Sequence, residues 1–107
     1  MALTPEQEVQ LRGETERGAR ARAIFESELL QEAFIAIEED TFTKWSESPL
    51  RDTEGQLQLR MRWHVIQQVK RYLLEAMETG KLAAQTIIEE EQRHARANGA
   101  RPSGRSH

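Results

Sequence analysis

Three places along the chain carry side chains whose types and spacing could do chemistry. Glu91 and His94 form a Glu-x-x-His step, the spacing with which carboxylate-bridged di-metal bundles draw two ligands from one helix face. Such a centre needs the same step on a second helix and further inward glutamates. Here it occurs once, inside the polar run "EEEQRHAR", so the expectation is a solvated helix face and no metal. Glu38, Glu39 and Asp40 are adjacent carboxylates, and a carboxylate pair can share acid and base duties. Consecutive residues on a helix point in successive directions, so these three do not converge on one substrate. His64 adjoins Trp63, but no serine, cysteine or acid at useful spacing marks it as a general base. No P-loop, GxGxxG, HExxH or GxSxG sequence occurs. The expectation is a protein that is not an enzyme and needs no cofactor.

A fourth set is cationic. Arg51, Arg60, Arg62, Lys70, Arg71 and Lys81 lie on or beside one helical segment and are the candidate DNA contacts, since guanidinium and ammonium groups meet phosphates. They spread over the helix circumference, and ion pairing with the acidic half of the chain is the competing role. Residues 1–50 hold 11 acids and 5 bases, whereas residues 51–107 hold 7 acids and 10 bases. Halves of opposite sign suit packing on each other or head-to-tail association of copies. They do not make the broad basic face of a dedicated nucleic-acid binder. Contact with DNA is therefore expected to be weak, salt-sensitive and without sequence preference. Symmetric repetition in an oligomer would strengthen it.

The elements that must position these groups read as helices. At 107 residues the chain makes one small domain with a modest core. It has no cysteine, which removes disulfides and thiolate chemistry. The N-terminus shows neither a basic n-region nor an apolar h-region, and no apolar run approaches the roughly 18 to 20 residues that span a bilayer. The expectation is no membrane contact and a cytoplasmic location.

Thr4-Pro5-Glu6-Gln7 is a helix start, with Thr4 and Gln7 placed for a capping box and Pro5 suited to the first position. Residues 1–19 are poorly apolar and contain Gly13 and Gly18, which predicts a weak N-terminal helix. Over residues 20–46, Leu30, Phe34, Ile37, Thr41 and Trp45 make one apolar stripe at helical spacing, and Ile24, Phe25, Leu29, Ile35 and Phe42 fall mostly on the other side. A helix apolar on two sides is buried on two sides, either by a second copy or by the N-terminal segment. Pro49 stops this helix at about Ser46, and Asp52 caps the next. Leu59, Trp63, Ile66, Val69, Leu73 and Met77 continue the stripe, and Gly80 after Thr79 reads as a C-cap. Two arms of about 27 residues, roughly 40 Å each, joined by a short link predict an antiparallel hairpin over residues 20–79. Trp45 and Trp63 are placed near its same end. A short helix over residues 80–98 and a flexible basic tail over 99–107 complete an all-α chain. Alanine at Phe34 or Ile37 is expected to cost about 2 to 5 kcal/mol.

The segment "SPLRDTEGQLQLRMRW", with "METGKLA" after it and "ARAIFESELLQEAFIAIEED" before it, resembles small helical proteins of tailed bacteriophages and gene transfer agents. These show an Arg-Asp-x-Glu-Gly turn opening a long helix that ends at a Thr-Gly-Lys-like stop. The resemblance covers roughly residues 19 to 85, and such proteins lie among packaging and head-assembly genes. In that setting the hairpin is similar to the oligomerisation region of small terminase subunits, whose rings help the motor recognise and package DNA. The chain departs from the fuller pattern in lacking a recognisable N-terminal DNA-binding domain, which puts specific site recognition in doubt. The resemblance implies a homo-oligomer in the bacterial cytoplasm or on the virion, contacting a large terminase, portal or other head protein. The alternative is a minor virion or head-completion protein that never touches DNA.

Overall fold

The computed structural model describes residues 2–99. The basic tail expected beyond Gly99 therefore lies outside the described residues. Among those described there are three helices and no strand: α1 Pro5–Phe25, α2 Glu28–Glu47 and α3 Thr53–Gly99. The chain is all-α, as the periodicity predicts. It divides into two compact units, one of residues 2–20 with 76–99 and one of residues 21–75.

Local signals place most of the helix ends. The Thr4 amide donates to Gln7 Oε1 at 2.8 Å and the Gln7 amide donates to Thr4 Oγ1 at 3.1 Å, so two of the free amides of α1 are satisfied reciprocally. Ser48, ahead of Pro49, is extended (φ −72, ψ 143) and closes α2. The Gly55 amide donates to Asp52 Oδ1 at 2.9 Å, the N-cap expected for α3.

Two boundaries differ from the expectation. The helix expected to run from residue 20 is interrupted, because α1 continues to Phe25 and α2 begins only at Glu28. Ser27 is the cause: extended at φ −60 and ψ 125, it accepts from the Leu30 amide and acts as a fresh N-cap. Gln31 Nε2 donates across the break to the Phe25 carbonyl at 2.6 Å. The second difference is at Gly80, which does not stop a helix. The expected short helix over 80–98 is instead the continuation of α3, one element of 47 residues.

Gly80 serves close approach. A Cβ at Gly80 would stand 2.7 Å from Gly18 Cα and 2.9 Å from the Glu14 carbonyl oxygen, and one at Gly18 would stand 2.7 Å from Gly80 Cα. The two backbones touch because neither residue has a side chain. Ala76 and Ala83, one turn either side of Gly80, are buried. Arg12 and Glu91 approach at 3.9 Å, so this part of α1 runs antiparallel to the second half of α3.

In the unit of residues 21–75 the contacts run between α2 and the first half of α3. Asp40 meets Arg62 at 2.8 Å and Glu38 meets Lys70 at 3.0 Å, while Gln56 near the start of α3 reaches back to the Pro49 carbonyl at 3.0 Å. These pairs run antiparallel and fit a helical hairpin. Phe34, 4% exposed, is the largest buried apolar side chain among the described residues. Its ring lies 6.4 Å from that of Phe25, and Lys70 Nζ sits 5.5 Å from its centroid. Thr41 is buried too, and its hydroxyl donates to the Ile37 carbonyl at 2.7 Å, so no polar group is stranded there.

Two expectations follow. Gly80→Ala should lower the melting temperature although alanine is the better helix former by about 1 kcal/mol, because an added methyl meets backbone rather than a yielding side chain. Gly13→Ala, with nothing within 4 Å of its Cβ position, should raise stability by about 0.5 to 1 kcal/mol. Thermal melts by circular dichroism check both, and equal shifts in one direction would discard the close-approach account. Phe34→Ala should cost about 3 to 5 kcal/mol; a loss below about 1 kcal/mol would show that its buried contacts are not the core of this unit.

Candidate functional site

Within the unit of residues 21–75 an apolar groove of about 610 Å³ lies where α2 ends and α3 begins. Phe42 and Trp45 from α2, and Leu57, Leu59 and Trp63 from α3, supply its apolar lining, with Thr41, Gln56 and Arg60 among them. The elements explain the placement. Phe42 and Trp45 are three residues apart near the end of α2, and their rings sit 6.2 Å apart at 34°. Pro49 and the Asp52 cap turn the chain so that the start of α3 lies alongside. Trp45 and Trp63 come to the same groove, as their expected position near one end requires. Phe42 is 63% exposed, Leu57 56%, Trp45 51% and Trp63 43%. Four large apolar side chains around one concavity, each at least two-fifths exposed, form the kind of patch that marks an interaction surface.

The other residues of the expected apolar interface divide by depth. Phe34 is buried. Phe25, Leu30, Ile37, Ile66, Leu73 and Met77 are half-buried, and Ile24, Leu29, Ile35 and Val69 are exposed. The first stripe of α2 thus turns inward through Leu30, Phe34, Ile37 and Thr41 but not through its last member, Trp45, which is exposed at the groove, while the second stays outside.

The candidate cations also separate. Arg62 holds Asp40, and Lys70 holds Glu38 while Gln67 Nε2 donates to the same carboxylate oxygen at 2.6 Å. Arg51, Arg60, Arg71 and Lys81 are exposed. The acidic cluster is thus split: Glu38 and Asp40 bind cations within the unit and Glu39 faces outward. The Gln67 hydrogen bond, helped by Lys70, holds the Glu38 carboxyl below its ordinary 4.5 against the opposing effect of burial. Lys44 and then Arg62 hold Asp40 below its ordinary 3.8. Sequence reasoning missed the Glu38–Gln67–Lys70 group. The signal was an acid on the inner side of α2 with an amide and an ammonium three residues apart on α3.

His64 is exposed. Glu91 and His94, with Glu8 and Glu90, line a shallow cavity of about 410 Å³. There His94 Nε2 lies 2.9 Å from Asn98 Nδ2, and Glu90 pairs with Arg93. Among the described residues no cluster of three or more His, Cys, Asp and Glu has the arrangement to hold a metal ion. No described helix is long and apolar enough to cross a membrane. Comparison with protein-family models, with curated proteins and with solved structures gave no match.

A carboxyl whose folded pKa is depressed stabilises the fold above its unfolded value, and that contribution is lost as pH falls through the folded value. Wild type should therefore lose stability progressively below about pH 4.5. Glu38→Gln should cost about 1 kcal/mol at pH 7, and its deficit against wild type should shrink as pH falls toward 3. Paired thermal melts from pH 3 to 7 check this. A deficit that is constant with pH would remove charge from the role of Glu38.

Proposed function

We propose that this chain is a non-enzymatic, self-associating assembly factor of phage type, acting in DNA packaging in the manner of a small terminase subunit. The setting comes from the resemblance of the Arg51–Gly55 turn and the helices around it. The mechanism is supported by one observation above the others: Phe42, Trp45, Leu57 and Trp63 stand exposed around a single groove. Burying a fully exposed apolar side chain contributes roughly 1.5 to 3 kcal/mol; these four are already partly covered, so covering the rest favours association by a part of that amount each, against the orientation costs. In this reading copies associate through the outward apolar faces, and the groove takes up an apolar helix of a motor, portal or other head protein. Arg51, Arg60, Arg71 and Lys81, repeated in every copy, give a weak and non-specific contact with DNA in the host cytoplasm or on the virion.

A second reading has its own observation. Arg62 and Lys70, two of the six candidate cations, are already engaged by Asp40 and Glu38. That reduction of available positive charge favours a minor virion or head-completion protein that acts through protein contacts alone.

Light scattering on a size-exclusion column, followed by fluorescence anisotropy with a short duplex, tests both. The expected result is an oligomer whose DNA binding falls steeply between 50 and 200 mM salt, with log K declining by about 0.9 per phosphate neutralised against log salt concentration. A stable monomer at tens of micromolar would discard the assembly reading. An oligomer that does not bind DNA at 50 mM salt would select the structural role. Both tryptophans of the chain line the groove, so their emission should shift to the blue as the groove is covered by a partner helix, and an unchanged spectrum on partner binding would place the contact elsewhere.

A further inference from the structure

The outward faces of α2 and of the first half of α3 carry matched patterns. On α2, Glu28, Ile35, Glu39 and Phe42 share one side of the helix, at steps of 7, 4 and 3 residues, and all four are exposed. On α3, read in the opposite direction, Arg71, His64, Arg60 and Leu57 share one side at the same steps, and all four are exposed. The two charged residues of each face stand eleven residues apart, roughly 16 Å along either axis. Antiparallel contact between the faces therefore sets Glu39 against Arg60, Glu28 against Arg71 and Phe42 against Leu57. Met61, one turn beyond Leu57 and 58% exposed, adds apolar surface on the α3 side. No equivalent match arises between two α2 faces, where acid would meet acid, or between two α3 faces, where arginine would meet arginine.

On the proposed reading that copies self-associate, we infer that the occupant of the α2 outer face is the α3 outer face of a second copy. The contact is heterologous, since each copy offers an acidic face to one neighbour and a basic face to the other. Its direction has a consequence. Because α2 and α3 are antiparallel within the unit of residues 21–75, an antiparallel contact between copies leaves every such unit pointing the same way. The turn at residues 48–52 of each copy then lies on one side of the array; the contact takes up Phe42, Leu57 and Arg60 from the lining of the groove, and Trp45 and Trp63 remain for a partner helix. Successive copies related by a rotation close into a ring when that rotation divides a full turn.

Charge reversal separates this contact from other modes of association. Glu28→Lys with Glu39→Lys, and separately Arg60→Glu with Arg71→Glu, should each reduce the light-scattering mass to that of one chain, 12.4 kDa. Circular dichroism should show helix content unchanged, since all four positions are exposed. An equimolar mixture of the two double variants should recover the assembly, because every junction in an alternating array again joins opposite charges. A wild-type monomer would overturn the assembly reading itself. A wild-type oligomer whose mass neither double variant changes, or a mixture that stays dissociated, would overturn only the pairing inferred here. If only the acidic-face variant dissociated, a two-fold contact through α2 would replace the heterologous one.

Discussion

A pair of helices in contact can shield one stripe of each and no more. That limit governs the unit of residues 21–75. The α2 sequence is apolar on two sides, and α3 covers the side that carries Leu30, Phe34, Ile37 and Thr41. Leu29, Ile35 and Phe42 are left facing outward, with Leu29 76% exposed. No large side chain among the described residues is fully buried. The chain thus spends its apolar residues on surface as much as on core, in a domain whose size already restricts what folding can bury.

The two units hold their helices together by different means. Around Gly18 and Gly80 the helices approach until backbones touch, and alanines fill the positions above and below. Attraction there is summed van der Waals contact over small groups. In the unit of residues 21–75 the helices are held by a ring, an ammonium and a carboxylate in series. Phe34 is covered by the Lys70 head group, Lys70 is neutralised by Glu38, and Glu38 is fixed by Gln67. A cation over an aromatic face is worth more as water is removed from it, and Phe34 is the most deeply buried of the large side chains in this unit. Specific polar partners at a half-covered layer fix which residues of α2 and α3 lie opposite each other, which apolar contact alone would leave loose.

Much of the fold was legible in the residues. The Thr4–Gln7 box, the Pro49 stop and the Asp52 cap are local devices whose partners lie within four positions, so the sequence contains both halves of each interaction. The inward stripe of α2 was legible for the same reason, because helical spacing is a local property. What failed was local in appearance but tertiary in cause. Gly80 reads as a C-cap when only its neighbours are in view; its role comes from Gly18, sixty-two positions earlier in the numbering, and nothing near Gly80 announces that partner. Ser27 was the reverse case. A serine followed by Glu28 is a start signal, masked by the apolar residues on both sides of it. The groove was legible in part: the spacing sets the tryptophans at a common end, whereas the contributions of Gln56 and Leu57 depend on how the turn brings α3 against α2.

The sorting of charge bears most directly on what the surfaces do. Glu38 and Asp40 lie toward α3 and take Lys70 and Arg62, whereas Glu28, Glu39, Arg60 and Arg71 remain outward. Charges used within a unit are shielded from partners, and exposed ones act over about a Debye length, near 10 Å at 0.1 M salt. The exposed acids of α2 and the exposed arginines of α3 give the two outer faces opposite sign. The same division makes the two faces complementary to each other in charge. In the proposed contact between copies Arg60 and Arg71 would be covered, and of the four exposed candidate cations Arg51 and Lys81 would stay open, so the proposed assembly and the proposed DNA contact would draw in part on the same side chains.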